Sequence, residues 1–326
     1  MECRGRCPGG SARRARKQMP KAYVFTRYGG PETEAFVDVD RPSPGPGQLL
    51  VAVRAAGVNP VDWKQRTGFR RPGEHEERVF PVVFGNEVSG VVEEVGEGVE
   101  GFAVGDEVFG TALAGGYTEY TLVPVAIAAH KPVELPHTVA ATLPVAAATA
   151  YDGVRQLDLP SGATLLVTGA GGGVGAAAVQ IARAFGLRAI GIASEGKKDL
   201  VESLGAVHVA SGPGWAERAR AAAPDGIDGV YDLVGGEVLT ASAELLTDRT
   251  KLITAGASEE DVRRLGGARV ARARNAAVLE EVARLVLEGN LDPHITGTFP
   301  LDRAGDALRR VEEGHARGKT VIEVAR

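Results

Sequence analysis

VTGAGGGVGAAAVQIARAFG, residues 167–186, decides the fold. It starts at the end of an apolar run, ATLLVT over 163–168, that has no polar alternation, as expected of a strand covered on both sheet faces. A glycine cluster follows, and residues 174–185 then read as a helix. Glycines in that place let the chain turn tightly and bring backbone N–H groups to a pyrophosphate, while the helix N-terminus adds its partial positive charge. A glycine loop between a strand and a helix is the context that marks a dinucleotide site rather than a structural turn. Gly171, Gly172, Gly173 and Val174 are therefore expected to touch the cofactor.

Outward from the loop the alternation repeats. Strands are expected over 188–192, 229–232 and 251–254, and helices over 197–204 and 237–246, with Val270 and its neighbours supplying a sixth strand. Strand–helix units of this length make a parallel, doubly wound sheet. Upstream, from 21 to about 143, short strands are broken by Gly and Pro. Leu49, Val51 and Val53 alternate with smaller residues, the period-2 sign of a half-buried strand, and strands over 88–95 and 107–109 look similar. Such spacing suggests a β-barrel-like domain. Helices over 276–288 and 302–312 and a strand over 320–324 return to it. The expected fold class is α/β: residues 19–143 and 289–326 form the barrel domain, and residues 144–288 form the Rossmann-type cofactor domain.

Composition excludes several classes. A net charge of −5 argues against broad nucleic-acid binding, which needs a basic surface. No apolar run approaches the roughly 20 residues needed to span a bilayer. Residues 1–18 are basic and Gly/Ser-rich without an apolar centre, which is not a secretory signal; they read as a disordered extension or, as the alternative, a targeting arm. Cys3 and Cys7 have no partner cysteines and make a poor metal or disulfide framework. The expected compartment is the cytoplasm.

The glycine loop also fits TGxxxGxG of the short-chain dehydrogenases through Thr168, Gly169, Gly173 and Gly175. That family needs a Tyr-x-x-x-Lys pair, and no tyrosine here has Lys four residues on. The whole chain from about residue 19 instead resembles the quinone-oxidoreductase (zeta-crystallin-like) branch of the medium-chain dehydrogenase/reductase superfamily. The matching runs, in order, are RYGGPE (27–32), GVNPVDWKQRTG (57–68), GNEVSGVVEEVG (85–96), VGDEVFG (104–110), GGYTEY (115–120), the glycine loop, YDLVGG (231–236) and GHARGKTVIEV (314–324). The resemblance implies a GroES-like barrel, a Rossmann domain, a nicotinamide cleft between them, and a homodimer paired along the cofactor-domain sheet near Val270. Metal-dependent relatives hold catalytic zinc on Cys, His and Cys; the matching positions here are Asn59, Asn86 and Ala146. Two amides and a methyl group cannot build a tetrahedral thiolate–imidazole site, so no zinc is expected.

Specific dinucleotide sites for NADH place an acidic residue about 20 positions after the glycines. The second strand here ends in Ala193 and Ser194, with Lys197 and Lys198 beyond, which suits a 2′-phosphate and hence NADPH. Glu195 favours NADH, and the tyrosine that relatives carry after the third strand is Gly212 here. By resemblance, Asn59 points at the nicotinamide ribose, Thr149 lies against the nicotinamide, and Gly256 and Ala257 complete the cofactor contacts. Asn59 and Lys64 are the catalytic candidates. The alternatives are a capping role for Asn59, a plain helix threonine at Thr149, and an exposed lysine without function at Lys64. Trp63, Phe69 and Tyr117 are candidates for the acceptor pocket wall; the alternatives are core for the first two and a strand-edge turn for Tyr117. His75, His130 and His208 have no triad or metal spacing. The expected reaction is hydride transfer from NADPH to a quinone or enone. The rivals are an enoyl or alkenal double-bond reductase of a specialised pathway and a non-catalytic NADPH-binding protein with a sensing or RNA-binding role.

Overall fold

Glycine and proline cut the first third of the chain into short strands that close on a β-branched core. The structure, a computed structural model, describes residues 19–70, 77–273, 275–314 and 318–325. The arm over 1–18 with Cys3 and Cys7, His75, and residues 315–317 of the last matching run lie outside the described residues. β1 (Lys21–Phe25) pairs with β2 (Glu34–Asp38) and β4 (Val82–Val83) in a small sheet, and the long β3 (Gln48–Val58) belongs to a second one. β5 (Glu87–Val95), β6 (Glu107–Thr111), β7 (Tyr120–Pro124) and β8 (Ala128–His130) add an antiparallel sheet in which β3 bonds both β5 and β7. Phe25, Leu49, Val51, Val53, Phe84 and Val88 share its core.

β3 departs from the expected half-buried pattern, since Gln48 and Arg54 are its only residues that are not buried. Leu49, Val51 and Val53 face the barrel core, and Ala55 packs on the other side with Ala141 and Val321. The small residues that looked like the exposed half of an alternation instead let a second layer close over the strand. α1 (Pro60–Arg66) leaves the end of β3, and α2 (His137–Ala140) lies against β3 and β5.

A π-helical turn, Leu143–Ala147, runs into α3 (Ala148–Leu157) and crosses to the second domain. There β9 (Thr164–Thr168), β10 (Arg188–Ala193), β11 (Val207–Ala210), β12 (Gly229–Asp232), β13 (Leu252–Thr254) and β14 (Ala268–Arg269) form a parallel sheet in the order β11-β10-β9-β12-β13-β14. Its helices are α4 (Gly173–Ala184), α5 (Lys198–Ser203), α6 (Trp215–Ala222), α7 (Gly236–Ala243), α8 (Glu259–Arg264) and α9 (Ala276–Leu287). Leu165 and Val167 enter one core and Leu166, between them, the other, so both faces are covered, as the unbroken apolar run implies. The sixth strand falls at 268–269 rather than on Val270, whose N–H donates to the Thr254 carbonyl.

The chain then returns: β15 (Ile295–Pro300), α10 (Ala304–Glu312) and β16 (Lys319–Glu323) close the barrel, with β16 antiparallel to β3 and Thr320 opposite Val58. Among the described residues no helix is long and apolar enough to cross a membrane.

Candidate active site

In a doubly wound sheet the order reverses where two strands leave in opposite directions, and ligands bind at the carboxyl ends there. Here that point lies between β9 and β12. Asp232, wholly buried, ties three strand ends together: its carboxylate accepts from the Thr168 hydroxyl at 2.7 Å, the Thr254 hydroxyl at 2.7 Å and the Gly235 N–H at 3.0 Å. The glycine loop rises from this floor. Gly169 takes φ +67, and a Cβ on Gly175 would strike the Gly169 and Ala170 backbone, so α4 could not seat against the strand. Gly172 caps α4 in extended conformation without a side-chain bond, leaving the amides of its first turn open to an acceptor.

Beside the loop runs a groove of about 640 Å³, counted with the solvent it opens onto, lined by Gly171 and Gly172, by Ser194 and Lys197, and by Trp215 with Val234. Lys197 lies over the loop, its ammonium donating to the Gly171 carbonyl at 3.1 Å. Glu195 is exposed in a 3-10 turn and is absent from the groove lining. Gly173 and Val174 lie outside the groove, and Gly173 faces the barrel, where a Cβ would meet the Lys319 stem at 3.2 Å and Ala146 at 3.7 Å. Gly256 packs on the backbone of Leu233 and Val234, and the Gly256 and Ala257 amides both donate to the Thr254 hydroxyl.

Across the interdomain seam a chain of buried polar groups surrounds Asn59. The return of β16 alongside β3 sets Lys319, only 4% exposed, next to it. Lys319 Nζ donates to Glu87 Oε1 at 2.7 Å, to Asn59 Oδ1 at 2.8 Å and to the Val58 carbonyl at 3.3 Å. Asn59 Nδ2 donates to Glu87 Oε1 at 2.8 Å, and the Val145 amide donates to Glu87 Oε2 at 2.7 Å. An ammonium has three protons and all three are used here, so Lys319 is fixed rather than free to sample solvent. The Val145 amide lies in the first turn of the π-helical segment, where an N–H has no partner within the helix and is left to Glu87.

Asp62 forms a second ring behind this one. Its carboxylate accepts from the Asn59 backbone N–H at 2.8 Å, from the Tyr117 hydroxyl at 2.8 Å and from Asn86 Nδ2. Complete burial pushes the Asp62 carboxyl up to about 6, against the lowering effect of those donors. The same burial, with Asp62 beside it, raises the Tyr117 hydroxyl. Tyr117 stands in the bend before β7, wholly buried and stacked on Phe84, and it lines neither the cofactor groove nor the cavity beside Thr149.

The remaining candidates sit apart. Thr149 is buried, its hydroxyl donating to the Val145 carbonyl at 2.5 Å, and it lines a small interdomain cavity with Thr111, Asp152 and Asn275 rather than the cofactor groove. Lys64 is exposed on α1, its ammonium 5.7 Å from the Trp63 ring centre, and it lines neither cavity. Trp63 packs on the barrel core while Phe69 is exposed. His130 stacks on Phe102 and His208 bonds the Ala193 carbonyl, both as structural groups. Sequence reasoning missed Lys319, Glu87, Asp62 and Trp215. The first three stand inside the quoted runs GHARGKT, GNE and NPVD, but which atoms they meet depends on strand pairing across the whole chain.

Among the described residues no group of three or more His, Cys, Asp or Glu stands together to hold a metal. The alcohol dehydrogenase GroES-like domain family matches residues 45–133, and the zinc-binding dehydrogenase family matches residues 204–322. The chain is 34% identical over 317 residues to the 2-methylene-furan-3-one reductase of Solanum lycopersicum, covering 93% of this chain and 78% of that protein. It is 30% identical over 360 residues to the NAD(P)H oxidoreductase RTN4IP1, mitochondrial, of Homo sapiens, covering 95% and 90%. The quinone oxidoreductase from Coxiella burnetii matches in structure with a TM-score of 0.86 at 30% identity, over 94% of this chain and 99% of that one. With both domains matched in order and relatives aligned along almost its full length, the chain belongs to the medium-chain dehydrogenase/reductase superfamily, and its relatives include quinone oxidoreductases.

Proposed function

We propose that the chain is an NADPH-dependent reductase that delivers hydride, without zinc, to a quinone or to the β-carbon of an α,β-unsaturated carbonyl. The observation that carries this reading is the meeting of the glycine loop with the Asn59–Lys319–Glu87 cluster, where the Gly173 position abuts the Lys319 stem. The dinucleotide, when bound, supplies the hydride. The protein supplies the polarity. Asn59 Nδ2 has two protons and gives one to Glu87, which leaves one for the oxygen of an acceptor. Lys319, its own protons occupied, holds the Asn59 amide in that orientation.

The donor chemistry at the metal-equivalent positions does not fit zinc. Asn59 and Asn86 offer amides, Ala146 offers a methyl group, and a buried ammonium stands 2.8 Å from Asn59 Oδ1. Ser194 and Lys197 in the groove lining, with Glu195 outside it, support NADPH over NADH. The name of the Solanum lycopersicum relative supports enone reduction and that of the Coxiella burnetii protein supports quinone reduction. A homodimer through the β14 edge is part of the same reading.

The test follows the labelled hydride. With NADPH deuterated at C4 and an alkyl vinyl ketone, deuterium should appear on the β-carbon of the saturated product. Asn59→Ala should cut turnover at least tenfold while the fold is kept. Turnover unchanged in Asn59→Ala would remove that residue from the mechanism.

A further inference from the structure

The cofactor groove has an apolar wall that the glycine loop, Ser194 and Lys197 do not account for. Trp215 opens α6 and packs against the sheet core that contains Val209 and Ala219, yet it also lines the groove. Just before it, Gly212 and Gly214 carry no side chain and take φ +96 and +73, and no atom lies within 4 Å of where a Cβ on Gly212 would stand. Val234 and Val238 continue the apolar lining, and Val234 is 52% exposed, a large aliphatic surface left uncovered beside an aromatic one. Ser211, next to Gly212, lines the same groove and is tethered by its N–H to the Ala193 carbonyl at 2.8 Å, which keeps it beside Ser194. The groove thus joins a flat aromatic surface and two valines to two hydroxyls and an ammonium. That pattern fits a purine whose ribose carries a phosphate.

We propose that Trp215 is the platform on which the adenine of the dinucleotide stacks, and that Ser211 joins Ser194 and Lys197 in reading the 2′-phosphate. The proposal rests on the groove being a dinucleotide site and adds the residues that select the adenosine end. Base–aromatic stacking is sequence-tolerant and strong enough that losing the ring weakens binding about tenfold.

The chain has two tryptophans, Trp63 and Trp215, so a Trp63→Phe variant leaves Trp215 as the single indole. Adenosine 2′,5′-bisphosphate is titrated into that variant while indole emission is followed, with nicotinamide mononucleotide as the control. Saturable quenching by the bisphosphate and none by the mononucleotide is the expected result. By calorimetry, Trp215→Ala should bind the bisphosphate about tenfold more weakly, Trp215→Phe should keep most of the affinity, and Ser211→Ala should weaken the bisphosphate but not AMP. Circular dichroism checks that each variant is folded. Bisphosphate binding with unchanged emission and unchanged affinity in Trp215→Ala would overturn the platform and leave the dinucleotide site standing. Failure of both the bisphosphate and NADPH to bind would overturn the dinucleotide site itself, and the platform with it.

Discussion

Replacing Lys319 by Met is the perturbation on which the account of the active site is most exposed. Its ammonium and Glu87 form a pair 2.7 Å apart, with side chains 4% and 0% exposed. At an effective dielectric of about 20, two unit charges at that distance attract by roughly 6 kcal/mol, most of it offset by the desolvation of both ions. Methionine keeps most of the stem volume but leaves Glu87 charged and buried, with only Asn59 Nδ2 and the Val145 amide as donors. Breaking a buried pair from one side costs about 3–5 kcal/mol. At a urea dependence of about 3 kcal/mol per molar, the midpoint should fall by roughly 1–1.7 M. Adding Glu87→Gln removes the stranded charge. The double variant should therefore be at least about 2 kcal/mol more stable than Lys319→Met alone, a coupling expected only of residues in contact. Urea unfolding of the four proteins followed by circular dichroism measures this, and turnover of the folded double variant should still be low because Asn59 has lost its fixed partners. Losses that simply add in the double variant would refute the pair, and full activity in it would refute its role in holding Asn59.

The other predictions concern Asp62, Lys197 and the pocket wall. The folded-state pKa of Asp62, about 6, lies above its ordinary value, so the folded protein binds the proton more tightly than the unfolded chain does. Its contribution is therefore full below pH 4 and is lost as pH rises through 6, by about 3 kcal/mol. Wild type measured against Asp62→Asn should show that loss between pH 4 and 7, and a flat difference over the range would contradict it. Lys197→Ala removes a half-exposed cation from the groove and should raise the KM for NADPH about tenfold with little change for NADH, as separate initial-rate series would show. Phe69→Ala removes an exposed ring and should leave stability within about 0.5 kcal/mol, so an altered acceptor preference in that variant would report on the pocket wall rather than on folding.

Local signals made the cofactor domain legible. An unbroken apolar strand, glycines at a tight turn and a helix start are all set by neighbours in sequence, and the expected strand over 229–232 coincides with β12. The region 205–228 was harder. β11 is four residues long and α6 holds Trp215 amid Ala, Arg and Glu, so neither has a strong period, and only Gly212 marked the end of that strand. β3 misled because Ala and Gly leave it open whether a strand's second face is wet or covered, and packing from Ala141 and Val321 decides that. The site was half visible. Asn59 and the glycine loop lie in contiguous motifs, whereas Lys319 reaches Asn59 across 260 positions through the pairing of β16 with β3, which no local pattern encodes. Thr149 is close in chain to the Val145 turn yet lines the small interdomain cavity and not the cofactor groove, a distinction set by tertiary packing.

The central claim, reduction by NADPH of an electron-poor acceptor without a metal, is tested most directly by following nicotinamide absorbance with protein dialysed against a chelator. NADPH oxidation is expected on addition of 1,4-benzoquinone or an alkyl vinyl ketone, at a rate that chelation and added zinc leave unchanged and that NADH does not match. Activity lost on chelation and regained with zinc, or NADPH left unoxidised by both acceptors, would contradict it.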